Sequence, residues 1–242
     1  AYFAEILGRL LWPETPLVMI GNSLRDDIIP AEKLGLPTYW LNGDQPVTER
    51  NPLSQTGTID GVLPWLEKIE IAQPVNDYLS DSAILATLQS TPAVLEEMSR
   101  GLEQAGWSHR PAENEWNLIE ILAHLRDIDR DVNVDRITAT LRGDNPFLPA
   151  VDTDTWVQER NYAAEDGPTV MQGFMQNRVK LLSLLKGINS EAMTKPARHA
   201  IFGPTTLKEL LGFIATHDRT HIQQAYKTIH PFINGNMQED DS

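Results

Sequence analysis

Thr206-Leu207-Lys208-Glu209-Leu210-Leu211-Gly212-Phe213-Ile214-Ala215-Thr216-His217-Asp218-Arg219-Thr220-His221 carries an apolar stripe and two histidines on one helical face. The stripe runs Leu207, Leu210, Leu211 and Ile214, and the next steps of three and four reach His217 and His221. Residues so spaced are neighbours on an α-helix, with Cβ atoms about 5–6 Å apart. The pattern predicts a helix over 206–228, capped by Thr205 or Thr206 with Glu209 in its first turn. Its H-x-x-x-H spacing lets two imidazoles share one metal ion. The blander alternative is a pair of buried, hydrogen-bonded histidines.

Working outward, the stripe Leu118, Ile121, Leu125, Ile128 and Val132 predicts a long helix over 117–141, and His124 falls on its inward side. Three inward histidines on two helices can converge on one point, where a metal would satisfy them together. His109, His199 and His230 lie in expected loops or near an end and receive no role. Further helices are expected over 79–104, where Pro92 suits the start of a new helix, and over 169–185, closed by Gly187. Four helices of about 20 residues each predict an antiparallel, up-down bundle. Residues 143–167 form a long connection with one helical turn around Trp156. No strand is expected after the boundary at Gln73-Pro74.

Residues 1–72 follow another pattern. A helix over 2–11, an apolar strand over 17–20, a helix over 26–34 closed by Gly35 and a strand over 37–41 form a right-handed crossover unit. A loop over 42–58 and a helix over 59–69 complete this small, incomplete α/β segment, whose sheet of about two strands is too small to fold alone. Residues 73–77 are read as a linker, 78–232 as the bundle and 233–242 as an acidic tail.

The 242 residues include no cysteine and carry a formal net charge of −14. That excludes disulfides and a cysteine nucleophile, and fits a reducing, cytoplasmic setting. The charge and the lack of a basic cluster argue against nucleic acid and anionic membrane surfaces as partners. No apolar run of about 18 residues suits a membrane span, and the start lacks a signal-peptide pattern. A small-molecule substrate remains the expected partner. The sequence opens without Met, as a piece of a longer protein would.

Residues 78–230 resemble the DinB-like superfamily of metal-binding four-helix bundles. The match lies in Trp116-Asn117-Leu118-Ile119-Glu120-Ile121-Leu122-Ala123-His124-Leu125, in Thr206–Leu211, and in His217-Asp218-Arg219-Thr220-His221-Ile222-Gln223-Gln224, with Pro92, Trp107 and Arg110-Pro111 in fitting places. The resemblance implies that His124, His217 and His221 ligate a divalent metal, nickel or zinc, and leave coordination positions open, as catalytic sites do. It implies a thiol-dependent transferase or a hydrolase, since such a metal acidifies a thiol or a water. With no cysteine in the chain, the thiol would be a low-molecular-weight cosubstrate. Gln224 shares the inward face and is expected to orient a ligand. Glu120 and Asp127 flank His124, and solvated or capping roles are expected for both. Bundles of this kind often form homodimers.

Residues 1–72 resemble the C-terminal end of a haloacid-dehalogenase-type (HAD) hydrolase, a Rossmannoid fold. The match is Val18-Met19-Ile20-Gly21-Asn22-Ser23-Leu24-Arg25-Asp26-Asp27, with Gly35-Leu36-Pro37-Thr38-Tyr39-Trp40-Leu41 after it. In that family this stretch holds magnesium through acids at a strand end. Here Asn22 stands where an acid is usual, and Asp26 or Asp27 matches the later acid. The nucleophilic Asp, Ser/Thr and Lys motifs are absent, so the expectation is an inactive remnant beside a metal-binding bundle. Two alternatives stay open: a metal-binding module without catalysis, and a phosphatase if an upstream catalytic part exists.

Overall fold

The computed structural model describes residues 2–41, 51–71 and 76–233. All but the first residue of the expected acidic tail and most of the expected linker lie outside the described residues, as does the first half of the loop over 42–58. The chain divides into two compact units, residues 1–87 and 88–242.

The first unit opens with α1 (Tyr2–Arg9), followed by β1 (Met19–Gly21), a π-helical turn (Leu24–Ile28), α2 (Ile29–Lys33) and β2 (Thr38–Leu41). Pro30 sits in the first turn of α2, where its missing N–H costs nothing. Gly35 follows at φ +86°, a conformation that suits glycine at a helix C-terminus. Beyond the expected two strands lies β3 (Gln55–Gly57), and the parallel sheet has order β1-β2-β3. Three half-buried residues, Gln-Thr-Gly, carry neither alternation nor an apolar run, so this strand leaves no periodic signal. Its amide partners come from β2, with Tyr39 opposite Gln55. Then α3 (Val62–Ile71) packs Val62, Trp65 and Ile69 on Tyr39 to form the core of this unit.

The helix α4 (Asp81–Ser99) begins in the first unit and runs through Pro92 without a break, rather than restarting there. A proline leaves the carbonyl four residues earlier without its helical donor. That carbonyl is Leu88 O, and the Arg178 guanidinium takes it at 3.1 Å through Nη1. The helix ends five residues short of the expected Gln104, at Arg100-Gly101 with Gly101 at φ +74°, and α5 (Gln104–Ser108) follows.

The expected helix over 117–141 is present as α6 (Leu118–Ile128), a π-helical turn (Asp129–Asn133) and α7 (Val134–Arg142). Asn117 and Glu120 form a reciprocal capping box at its start. The connection then contains β4 (Phe147–Leu148), α8 (Trp156–Glu159) and a short 3₁₀ turn (Tyr162–Ala164). Next comes α9 (Gly167–Leu184), capped by Asp166, and α10 (Ser190–Met193). Two unforeseen strands, β5 (Pro196–His199) and β6 (Gly203–Thr206), lead into α11 (Leu207–Ile233). The second unit thus holds a three-stranded sheet, order β4-β5-β6, where none was expected. These strands span two to four residues and include Pro196, Gly203 and Pro204, a composition that reads as loop. Pro196 opens its strand and Pro204 lies on the edge strand, the places where proline is tolerated.

Against α6 pack α9 and α11. Leu118, Ile121, Leu125, Phe174, Leu181 and Leu211 are among the fully buried side chains of this core. Each such burial contributes about 1.5–3 kcal/mol. Thr206 and Glu209 close the cap of α11: Thr206 N donates to Glu209 Oε2 at 2.8 Å, and Glu209 N to Thr206 Oγ1 at 3.2 Å.

Candidate metal centre

The apolar stripe of α11 turns Leu207, Leu210, Leu211 and Ile214 into the core, and so carries His217 and His221 to the same face. The stripe of α6 does the same for His124. The three rings meet: His217 Nε2 lies 3.2 Å from His124 Nε2 and 3.1 Å from His221 Nε2. Among the described residues this is the single cluster of three or more possible metal ligands. His124 and His221 are buried and His217 is partly exposed.

The protonation states suit ligation. Burial, then the neighbouring His221 and His217, pushes His124 down to about 3. Burial and the Arg178 charge push His217 down to about 4, and burial and His217 do the same for His221. The rings are therefore neutral at pH 7. His221 Nδ1 donates to Gln224 Oε1 at 2.8 Å, which puts the proton on Nδ1 and leaves the Nε2 lone pair facing the other rings. Three neutral imidazoles with converging Nε2 atoms are a donor set for a borderline metal such as zinc or nickel. Nitrogen ligands about 2.0–2.1 Å from one ion, at angles between octahedral and tetrahedral, stand about 2.8–3.4 Å apart. The observed contacts lie inside that interval, so the residues fit the group.

Gln224 thus acts on His221 itself. The two acids beside His124 do something else. Glu120 accepts from Asn117 N at 2.9 Å and from Arg110 Nη2 at 2.5 Å, so its capping role is as expected. Asp127 is not solvated: it is 1% exposed and accepts from Arg126 Nε, Arg160 Nη1 and Tyr162 Oη at 2.7, 2.6 and 3.0 Å. Burial pushes this carboxyl up, but the two arginines and the tyrosine outweigh it and hold it below its usual range. Neither acid bonds His124, whose Nδ1 is buried without a hydrogen-bond partner. Trp116 covers the site, its ring 4.8 Å from His124 and stacked at 5.9 Å on His221.

A second buried cluster supports the site from below. Asp218, next to His217 in the chain, pairs with Arg178 of α9, which also holds Asp129 at 2.7 Å through Nε. All three side chains are 0–1% exposed. Burial raises the Asp129 carboxyl. Burial opposes the charge on Arg178, but Asp218 and Asp129 together hold its pKa above the ordinary value. Together with Leu88 O, these bonds tie α4, α9, the π-helical turn and α11 into one lattice directly behind His217. Nothing in the local spacing around Arg178 marks this role; the Asp in H-D-x-x-H is the nearest sequence signal.

A cavity of about 290 Å³ opens beside His217. Its apolar wall includes Ile128, Leu210 and Phe213, and Asn133, Arg136 and His199 supply polar groups. His199, expected in a loop without a role, is a buried residue of β5.

In the first unit, Asn22 follows β1 in an exposed position. Asp26 and Asp27 lie in the π-helical turn, where Ser23 Oγ donates to Asp26 Oδ2 at 2.8 Å and Ser23 N to Asp27 Oδ2 at 3.0 Å. Gly21 admits the Asp27 side chain, which any Cβ there would strike.

No described helix is long and apolar enough to cross a membrane. A comparison with curated proteins gave no match. Among solved structures, one described as "YfiT from Bacillus subtilis is a probable metal-dependent hydrolase with an unusual four-helix bundle topology" aligns with a TM-score of 0.55 at 16% identity, over 62% of this chain and 85% of that one. At that identity the likeness establishes the four-helix-bundle fold. A family model described as "DinB superfamily" matches residues 87–225, more than half of the sequence, and the chain therefore belongs to the DinB superfamily.

Proposed function

We propose that this chain is a metal-dependent hydrolase of small molecules, with zinc or nickel on His124, His217 and His221. The observation that carries the reading is the convergence of three neutral Nε2 atoms beside a cavity of about 290 Å³. The likeness to YfiT, itself described as a probable metal-dependent hydrolase, supports it. A metal so held would supply Lewis acidity and a nucleophile deprotonated near neutral pH. The chain's own residues do the rest. Gln224 fixes the tautomer of His221, Trp116 shields the ring faces from water, and Arg178 with Asp218 anchors the turn that bears His217. The cavity receives the substrate next to His217.

A low-molecular-weight thiol in place of water would make the same centre a transferase. The two are separated by assaying ester, amide and epoxide panels with and without added thiols, in metal-loaded and chelator-treated protein. Metal-dependent turnover without thiol supports the hydrolase; turnover that needs both metal and thiol replaces it with the transferase; metal-independent turnover, or none on any panel, removes both. For the first unit we propose a HAD-like, non-catalytic remnant, supported by its parallel sheet and by the engagement of Asp26 and Asp27 in bonds to Ser23.

A further inference from the structure

The cavity beside His217 has further polar groups in its lining. Arg136 of α7 lines it, half-buried, and donates through Nη2 to Pro149 O at 2.7 Å. Among the described residues no carboxylate pairs with this guanidinium. The nearby Asp131 is engaged by Arg130 and Arg160 at 2.6 and 2.7 Å. Burial alone shifts Arg136, pulling its pKa down. An arginine left without an acid is costly to hold half out of water, and the chain carries 34 acidic residues to 20 basic ones.

His199 lines the same cavity, close enough to feel the Arg136 charge. Its Nδ1 accepts from the Ile201 and Phe202 amides at 3.2 and 3.4 Å. That bonding puts the proton on Nε2, for which no described residue supplies an acceptor. Burial and the charge on Arg136 keep the ring neutral. The cavity therefore presents a cation and a neutral N–H donor together, with Phe202, Phe213 and Leu210 as apolar wall and His217 along the same lining. One guanidinium with one neutral donor matches a carboxylate, a planar monoanion, in geometry and in charge. The aromatic and aliphatic wall matches an apolar body.

We propose that the substrate of this site is an amphipathic monocarboxylate, its carboxylate held by Arg136 and His199 and its apolar body lying along Phe202 and Phe213. The reacting group then lies at the His217 end, a placement that rests on the metal reading above; recognition of the carboxylate does not.

The test is calorimetric titration of the full chain with 3-phenylpropanoate and with its neutral primary amide, in zinc-loaded and chelator-stripped protein, with metal content measured on the same samples. The acid should bind about tenfold to a hundredfold more tightly than the amide, in both metal states. Arg136→Gln should bring that ratio close to one while leaving metal content unchanged, and Arg136→Lys should keep part of it. Circular dichroism reports folding of both variants, and the lysine variant carries the test if the glutamine variant does not fold. A wild-type ratio near one overturns the proposal, as does no saturable binding of either probe up to about 10 mM. So does a ratio that survives Arg136→Gln but disappears with the metal, because the carboxylate would then sit on the ion. An Arg136-dependent preference in a chain that holds no metal would support carboxylate recognition and remove the metal reading alone.

Discussion

The loop after β1 and the histidine face of α11 both gather side chains able to bind a metal, and they end in opposite states. Asp26 is exposed and Asp27 half-buried, and both are engaged by Ser23, one turn away. Both carboxylates have a local donor in Ser23. His124 and His221 are buried, His217 is partly exposed, and all three are neutral and aimed at one another. Two neutral rings can share a proton, but three converging Nε2 atoms cannot all be satisfied by each other when Gln224 already fixes the His221 proton on Nδ1. Burial with unsatisfied donors, rather than the mere presence of ligating residue types, separates a candidate metal centre from a capping motif.

That contrast can be broken by substitution. The largest effect is expected at Arg178→Met. It leaves Asp129 and Asp218 buried without their cation and the Leu88 carbonyl without a donor. Stability should fall by about 3–5 kcal/mol, read as a lower urea midpoint. Next comes Gln224→Ala, which frees the His221 ring to turn. Competition with a chromogenic chelator should show metal affinity down about tenfold to a hundredfold, with the unfolding midpoint little changed. Ser23→Ala should cost about 1 kcal/mol through the lost cap of the π-helical turn, without altering metal content. The smallest effect is expected for Asp26→Asn: stability within about 0.5 kcal/mol of wild type and unchanged metal content. Loss of metal in Asp26→Asn would place the ion in the wrong unit and end the comparison.

The three-histidine cluster was legible because helical periodicity is a local property. Steps of three and four carry a stripe from Leu207 to His221, and the same steps place Gln224 one turn further on. The capping pair Thr206 and Glu209 was readable for the same reason. What escaped the sequence is non-local. Arg178 meets Asp218 across 40 residues and Leu88 across 90, and its partners are chosen by the fold alone. That arginine takes the Leu88 carbonyl which Pro92 leaves without a helical donor, a partner that a local proline rule does not see. The sheet β4-β5-β6 is built from strands too short and too rich in proline and glycine to show a period of two. Yet it carries His199 to the cavity that Arg136 and His217 also line. Asp127 looked like a surface acid one turn from His124; it is buried because Arg160 and Tyr162, about 35 residues on, fold back over it.

The metal content of the purified chain tests the central claim most directly. After supplementation with zinc or nickel and removal of the excess, wild type should retain about one divalent ion per chain, and His217→Ala and His221→Ala should each retain almost none. A wild-type chain that retains no metal, or histidine variants that retain as much as wild type, would contradict the account.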